Sequence, residues 1–148
     1  MDFAPRWLLG LALASLVAFI ASRARALDAS GAVAAATLGT LAVGAGWSWG
    51  ILLIAYFVVT SSLSRYRATE RDARTEGRVA KGGRRDAFQV AANGGVFALA
   101  ALAWWHAPAP VIQWIGVGAL AASAADTFAT EIGTLARAAA RSIRDWRP

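Results

Sequence analysis

The stretch VIQWIGVGALAASAADTFATEIG, residues Val111 to Gly133, decides the fold. Its first fifteen residues carry no charge, and Asp126 and Glu131 then appear inside the same apolar run. A run of this length matches a helix crossing the bilayer core, which takes about 20 apolar residues. Working outward, charge-free runs recur along the 148-residue chain and predict five spans: Trp7–Ser22, Ala29–Gly46, Trp47–Leu63, Ala87–Trp105 and Val111 to about Ala136. The first and third are short for a full crossing, so snorkelling arginines or local thinning must help them. Trp7, Trp47, Trp49, Trp104, Trp105 and Trp114 mark several span ends, the pattern of an aromatic belt at headgroup depth.

Composition agrees. Residues are 57% hydrophobic and 16% charged, which is unusual for a soluble domain. The class expected is all-α, a single polytopic helical membrane domain in a bacterial-type plasma membrane. A net charge of +6 would suit nucleic acid, but the basic residues border apolar runs, so a lipid bilayer and not nucleic acid is the expected partner. With no cysteine, disulfides and thiolate-bound metals are excluded. His106, in the turn WWHAPAP, reads as an interfacial residue.

Orientation follows from Lys and Arg. With the N-terminus outside, the inner segments Ser22–Asp28, the loop 64–86 and the tail from Arg137 hold two, eight and four basic residues, leaving only Arg6 outside. This obeys the positive-inside rule and puts the C-terminus in the cytoplasm. A competing reading takes Leu8–Ile20 with Ala24-Arg25-Ala26 as a signal peptide. Arg23 and Arg25 directly after the apolar core oppose it.

The polar residues inside the spans define a candidate site. Gly118, Ala122, Asp126, Thr130 and Thr134 form one stripe at four-residue spacing, small in its outer half and polar in its inner half. Thr127 and Glu131 form a second pair. Asp126 and Glu131 stand about 140° apart around a straight helix, so one would reach a shared centre directly and the other obliquely. Each carboxylate at this depth costs roughly 2.5–3.5 kcal/mol on insertion scales and calls for a partner or a wet cavity. A pair locking the helix packing is the alternative. In the fourth span Asp86, Gln89 and Asn93 share a face, with Asn93 about 12 Å along the axis from Arg85. Lys81, Arg84 and Arg85 ring its inner end, and Ser61, Ser62, Ser64 and Arg65 of the third span lie at the same edge. A stripe of Ala32, Ala36, Thr40 and Gly44 predicts close packing of the second span. Carboxylates under a basic rim suit Mg²⁺-assisted handling of a phosphorylated molecule, and the apolar walls suit a lipid tail.

The segments LDASGAVAAATLGT, SSLSRY, RRDAFQVAANGG and ADTFATEIG, in that order, resemble the blocks of the integral membrane family known as domain of unknown function ninety-two. That family includes transmembrane protein nineteen and phytyl-phosphate kinases. The resemblance implies transfer of a phosphate from a CTP-like nucleotide to a prenyl or phytyl monophosphate with Mg²⁺. By matching position, Arg85, Asp86, Gln89 and Asn93 would form one wall of the pocket, and Asp126, Thr127, Thr130 and Glu131 the acidic wall. Asp126 and Glu131 are the expected metal or catalytic residues; Lys81 and Arg84 join the substrate- and nucleotide-binding set. The family pattern continues into a Gly-rich GTxGGxS-like segment, whereas this sequence stops at RSIRDWRP, so the expectation is a fragment, a split or shortened member, or a partner (an oligomer or a second chain) supplying the missing helices. A non-enzymatic lipid- or ion-binding, transport or assembly subunit of the same fold is the alternative.

Overall fold

Small residues fill the interior and large apolar ones face outward, the reverse of a soluble core. Ala14, Ala18, Ala42, Ala98 and Ala101 are buried, while Leu8, Phe19, Ile51, Val59, Leu99 and Trp114 are among many exposed large side chains. With lipid as solvent there is no hydrophobic drive between helices, so close backbone approach over Ala and Gly holds the bundle. The computed structural model describes residues 3–66, 84–133 and 144–145.

Five helices are present among these residues: α1 Phe3–Arg23, α2 Ala29–Ala45, α3 Trp47–Arg65, α4 Ala87–His106 and α5 Pro110–Gly133. There is no strand among them. The chain is an all-helical polytopic membrane protein, with α1, α3, α4 and α5 long and apolar enough to cross a bilayer. The first and third helices extend further than the apolar runs imply, to 21 and 19 residues: α1 gains residues 3–6 at its start and Arg23 at its end, and α3 gains Ser64 and Arg65. That gives about 32 Å and 29 Å, so neither is short. The shortest is α2, with 17 residues or about 26 Å.

Helix α2 is central. Neighbours α1, α3 and α4 pack on it, and α5 packs on α4 and α3. The glycines show how close these approaches are. A Cβ on Gly44 would sit 2.5 Å from the Trp7 ring, one on Gly39 2.7 Å from Ala14 Cβ, and one on Gly94 2.7 Å from Leu38. Gly44 of the small-residue stripe expected on α2 packs this closely, and so does Gly39, which lies outside that stripe. Helix α1 lies along α2 as part of the bundle, with Ala21 and Ala26 buried.

The helix ends are specified locally. Helix α1 closes with Ala26 N–H on Ala21 O at 2.8 Å and Arg25 N–H on Ser22 O at 2.9 Å, Arg25 taking φ 59°. This is a Schellman stop with arginine where glycine is usual. Gly46 alone joins α2 to α3. Pro110 opens α5, where its missing N–H costs nothing.

Trp49 departs from the belt expectation. It is buried against Phe97, with ring centroids 5.1 Å apart, and Trp104, 6.1 Å apart. Only two residues, about 200° of helix rotation, separate it from the exposed Trp47, so it faces the opposite way, toward α4 and α5. Trp7 and Trp105 meet edge-on at 5.5 Å on the outer side of the bundle.

Candidate functional site

The inner ends of α1 to α4 converge on Arg85. Its N–H donates to Ala26 O at 2.9 Å and its carbonyl accepts from Asp28 N–H at 3.1 Å, a parallel bridge between the residues before α2 and before α4. The guanidinium donates to Ser61 Oγ at 2.9 Å and to Ser64 Oγ at 3.4 Å, both on α3. It also lies 5.8 Å from the centroid of the Phe57 ring. Burial lowers the pKa of the Arg85 guanidinium from its ordinary value, with Tyr56 and Glu131 acting in the opposite direction. Arg65 of α3 donates to Ala24 O at 2.5 Å, tying α3 to the end of α1.

Two matched caps flank this bridge. Asp28 accepts from Gly31 N–H and the Ser30 hydroxyl, each at 2.7 Å, starting α2. The Ser30 oxygen in turn accepts from Ala87 N–H at 3.1 Å, linking the first turns of α2 and α4. Asp86 accepts from Gln89 N–H at 2.9 Å while Gln89 Oε1 accepts from Asp86 N–H at 3.2 Å, a complete capping box. Asp86 and Gln89, expected on a pocket wall, thus hold the start of α4.

Arg85 also closes one end of an apolar cleft of about 300 Å³ walled by α1, α2, α3 and the first turns of α4. The cleft runs from Trp47 to Phe57 along α3, about 15 Å. Its polar contributors are Arg85, Asn93 and Tyr56.

On the other side of α4 a shallower groove lies between α4 and α5, lined by Ala92, Asn93, Val96, Ala119, Ala122, Ser123 and Asp126. Asn93 and Asp126 therefore share one groove, and Asn93 lines both cavities. Among the described residues the Asn93 amide makes no side-chain hydrogen bond. Asp126 is exposed in the groove and Glu131 half-buried. Thr127 is half-buried and bonds back to Ser123 O at 3.0 Å; Thr130 is exposed. Arg84 is exposed beside Arg85. Lys81 lies outside the described residues.

The small outer half of the stripe Gly118–Ala122–Asp126 permits close approach by a neighbour, yet a Cβ on Gly118 would meet nothing within 4 Å. The packed face is Gly116–Leu120–Ser123. Trp49 and Phe97 set this phase, because only Gly116 admits them: its Cβ would come 2.6 Å from the Trp49 ring. Tyr56 and Ser123, whose oxygens lie 2.7 Å apart across α3 and α5, were not anticipated. Their only signal is a hydroxyl inside an apolar run.

For Mg²⁺ the fit is to an ion carried by phosphates. No group of three His, Cys, Asp or Glu able to hold a metal exists among the described residues. Asp126 with Asn93 still offers the one or two oxygen donors that such an ion takes beside its phosphates.

These features define a polytopic helical membrane protein with a polar site near one membrane face. The chain belongs to the integral membrane protein family DUF92, whose model matches residues 12–148. It is similar to Protein PGR of Arabidopsis thaliana, 27% identical over 164 aligned residues that take in all of this chain. The chain spans 57% of the length of that relative. No solved structure matches.

Proposed function

We propose that this protein handles an isoprenoid phosphate at the cytoplasmic face of a bacterial-type plasma membrane, transferring a phosphate from a CTP-like nucleotide to a prenyl or phytyl monophosphate. One observation carries the reading: Asn93 is the common wall of an apolar cleft ended by a buried arginine and of a groove holding Asp126. A lipid phosphate and a nucleotide phosphate could thus approach each other from opposite sides of α4.

The chemistry asks for little covalent work from the protein. An oxygen of the monophosphate attacks the γ-phosphorus, the bond to the β–γ bridging oxygen breaks, and the nucleoside diphosphate leaves with the electron pair. Positioning and charge neutralisation supply the catalysis. Arg85 holds the acceptor phosphate, assisted at the rim by Arg84. Asn93 orients the oxygens between the two cavities. Asp126, with Thr127, Thr130 and Glu131 on the same helix, forms the nucleotide side. Asp126 would hold Mg²⁺, and the ion would neutralise phosphate oxygens. A second copy or a second chain covers the open Gly118–Asp126 face, sheltering the groove from lipid.

The alternative, a lipid- or ion-binding subunit without turnover, is favoured by one feature: Asp86 and Gln89 are engaged in capping. The test is formation of prenyl diphosphate from CTP and geranylgeranyl monophosphate in proteoliposomes. Wild type should turn over and Asp126→Asn should lose about 100-fold or more, by analogy with loss of a charge-stabilising group. Full activity in Asp126→Asn removes that residue from the mechanism, and an inactive wild type leaves the binding subunit.

A further inference from the structure

We propose that the cleft between α1, α2 and α3 is the binding site of a single-chain anionic amphiphile, which slides in sideways from the bilayer between α1 and α3 and sets its phosphate on Arg85. The identity of the amphiphile rests on the kinase reading; the site and its route do not.

The route follows from how the helices pack. Helices α1 and α3 both lie on α2 and make little contact with each other. Their gap is bridged at the inner rim by the Arg65–Ala24 bond. At mid-depth the walls on either side are apolar, with Leu13 and Val17 on α1 and Ile51 and Ile54 on α3. Each of the four is at least 36% exposed, so the cleft is open where lipid tails would be. A tail can move through such a gap without crossing the polar rim.

The head position follows from Arg85. It is the one charged residue lining the cleft among the described residues. Five N–H donors are available on a guanidinium, and here two neutral serine hydroxyls are its side-chain partners. No carboxylate bonds to it among the described residues. A partly desolvated arginine held by neutral oxygens is a strong site for a phosphate, which binds it in a fork. The cleft, about 300 Å³, is at the small end of ligand sites, suiting one chain and not two side by side. With its phosphate on Arg85 the amphiphile lies alongside Asn93, which faces the Asp126 groove as well.

The test is equilibrium binding to the full chain in detergent micelles, with geranylgeranyl monophosphate, geranylgeraniol, inorganic phosphate and dioleoyl phosphatidic acid as probes. The monophosphate should bind about tenfold or more tighter than the alcohol, the size of a charge-assisted contact. Inorganic phosphate and the two-chain lipid should bind weakly. Arg85→Gln should erase the preference for phosphate over alcohol. Ile54→Trp, filling the cleft, should weaken both about tenfold, while Leu9→Trp, exposed on α1 away from the cleft, should change neither. Ser61→Ala with Ser64→Ala removes the partners of Arg85 but not its charge, and should keep or strengthen the preference. Loss of the preference in that double variant would mean Arg85 is only a strut, overturning the proposal, and this arm decides even if Arg85→Gln does not fold. Equal binding of phosphatidic acid, or an unaltered preference in folded Arg85→Gln, would also overturn it. Binding as described without label transfer would remove the kinase and leave the cleft; label transfer with no Arg85-dependent preference would do the reverse.

Discussion

Asp28 and Asp86 begin two parallel helices in the same way, each accepting a hydrogen bond from the backbone of its own first turn. Hydrogen bonds from Gly31 N–H and the Ser30 hydroxyl hold the Asp28 carboxyl below its ordinary value of 3.8. A carboxyl depressed in the folded state adds stability above the unfolded pKa, and this is lost as pH falls through the folded pKa. Asn caps nearly as well but does not titrate. Melting followed by circular dichroism from about pH 5 to about pH 2 should therefore show wild type losing stability relative to Asp28→Asn. Parallel curves would contradict this. At Asp86, Asp86→Asn should keep α4 capped, whereas Asp86→Ala should cost about 1 kcal/mol. If turnover tracks only the cap, Asp86→Asn stays active; inactivity of a well-folded Asp86→Asn would return this carboxylate to the pocket. The D-x-x-Q spacing that the hydrogen bonds show to be a capping box was read from the sequence only as part of a pocket wall. Sharing of a helix face by Asp86, Gln89 and Asn93 was legible, and sequence alone does not say which use wins. The hydrogen bonds decide it.

At the scale of the element, α5 shows where periodicity stops being informative. A four-residue stripe of small and polar residues, Gly118 to Asp126, is as regular as the packed face at Gly116, Leu120 and Ser123. The choice between them came from two bulky rings, Trp49 and Phe97, on other helices. No local pattern in α5 reports those rings. The phase makes a direct prediction. Gly116→Leu should destabilise by about 1–3 kcal/mol through overpacking, while Gly118→Leu, with open space around it, should stay within about 0.5 kcal/mol. Thermal unfolding in one detergent compares the two; equal losses would mean that α5 is rotated from the phase described. The same phase puts Asp126 in the groove with Asn93.

For the whole molecule, the five helices and their alternation were legible because apolar length and arginine position both reflect the bilayer. Convergence of the inner helix ends on Arg85 agrees with the expected alternation. The cleft was not legible: it depends on α1 and α3 flanking α2 without meeting, which no single segment encodes. Orientation can be tested on a chain that lacks cysteine. An impermeant maleimide applied to intact cells should label Ala107→Cys, in the α4–α5 turn, and should label Arg84→Cys only after permeabilisation. The reverse pattern would invert the molecule and put Arg85 outside. The account's central claim, phosphoryl transfer between two cavities that share Asn93, is tested most directly by which phosphorus moves. Proteoliposomes given geranylgeranyl monophosphate and CTP labelled at either the γ- or the α-phosphate should incorporate only the γ label into lipid, and Asn93→Ala should reduce it sharply. Incorporation of the α label, or of neither label by the well-folded full chain, would contradict the account.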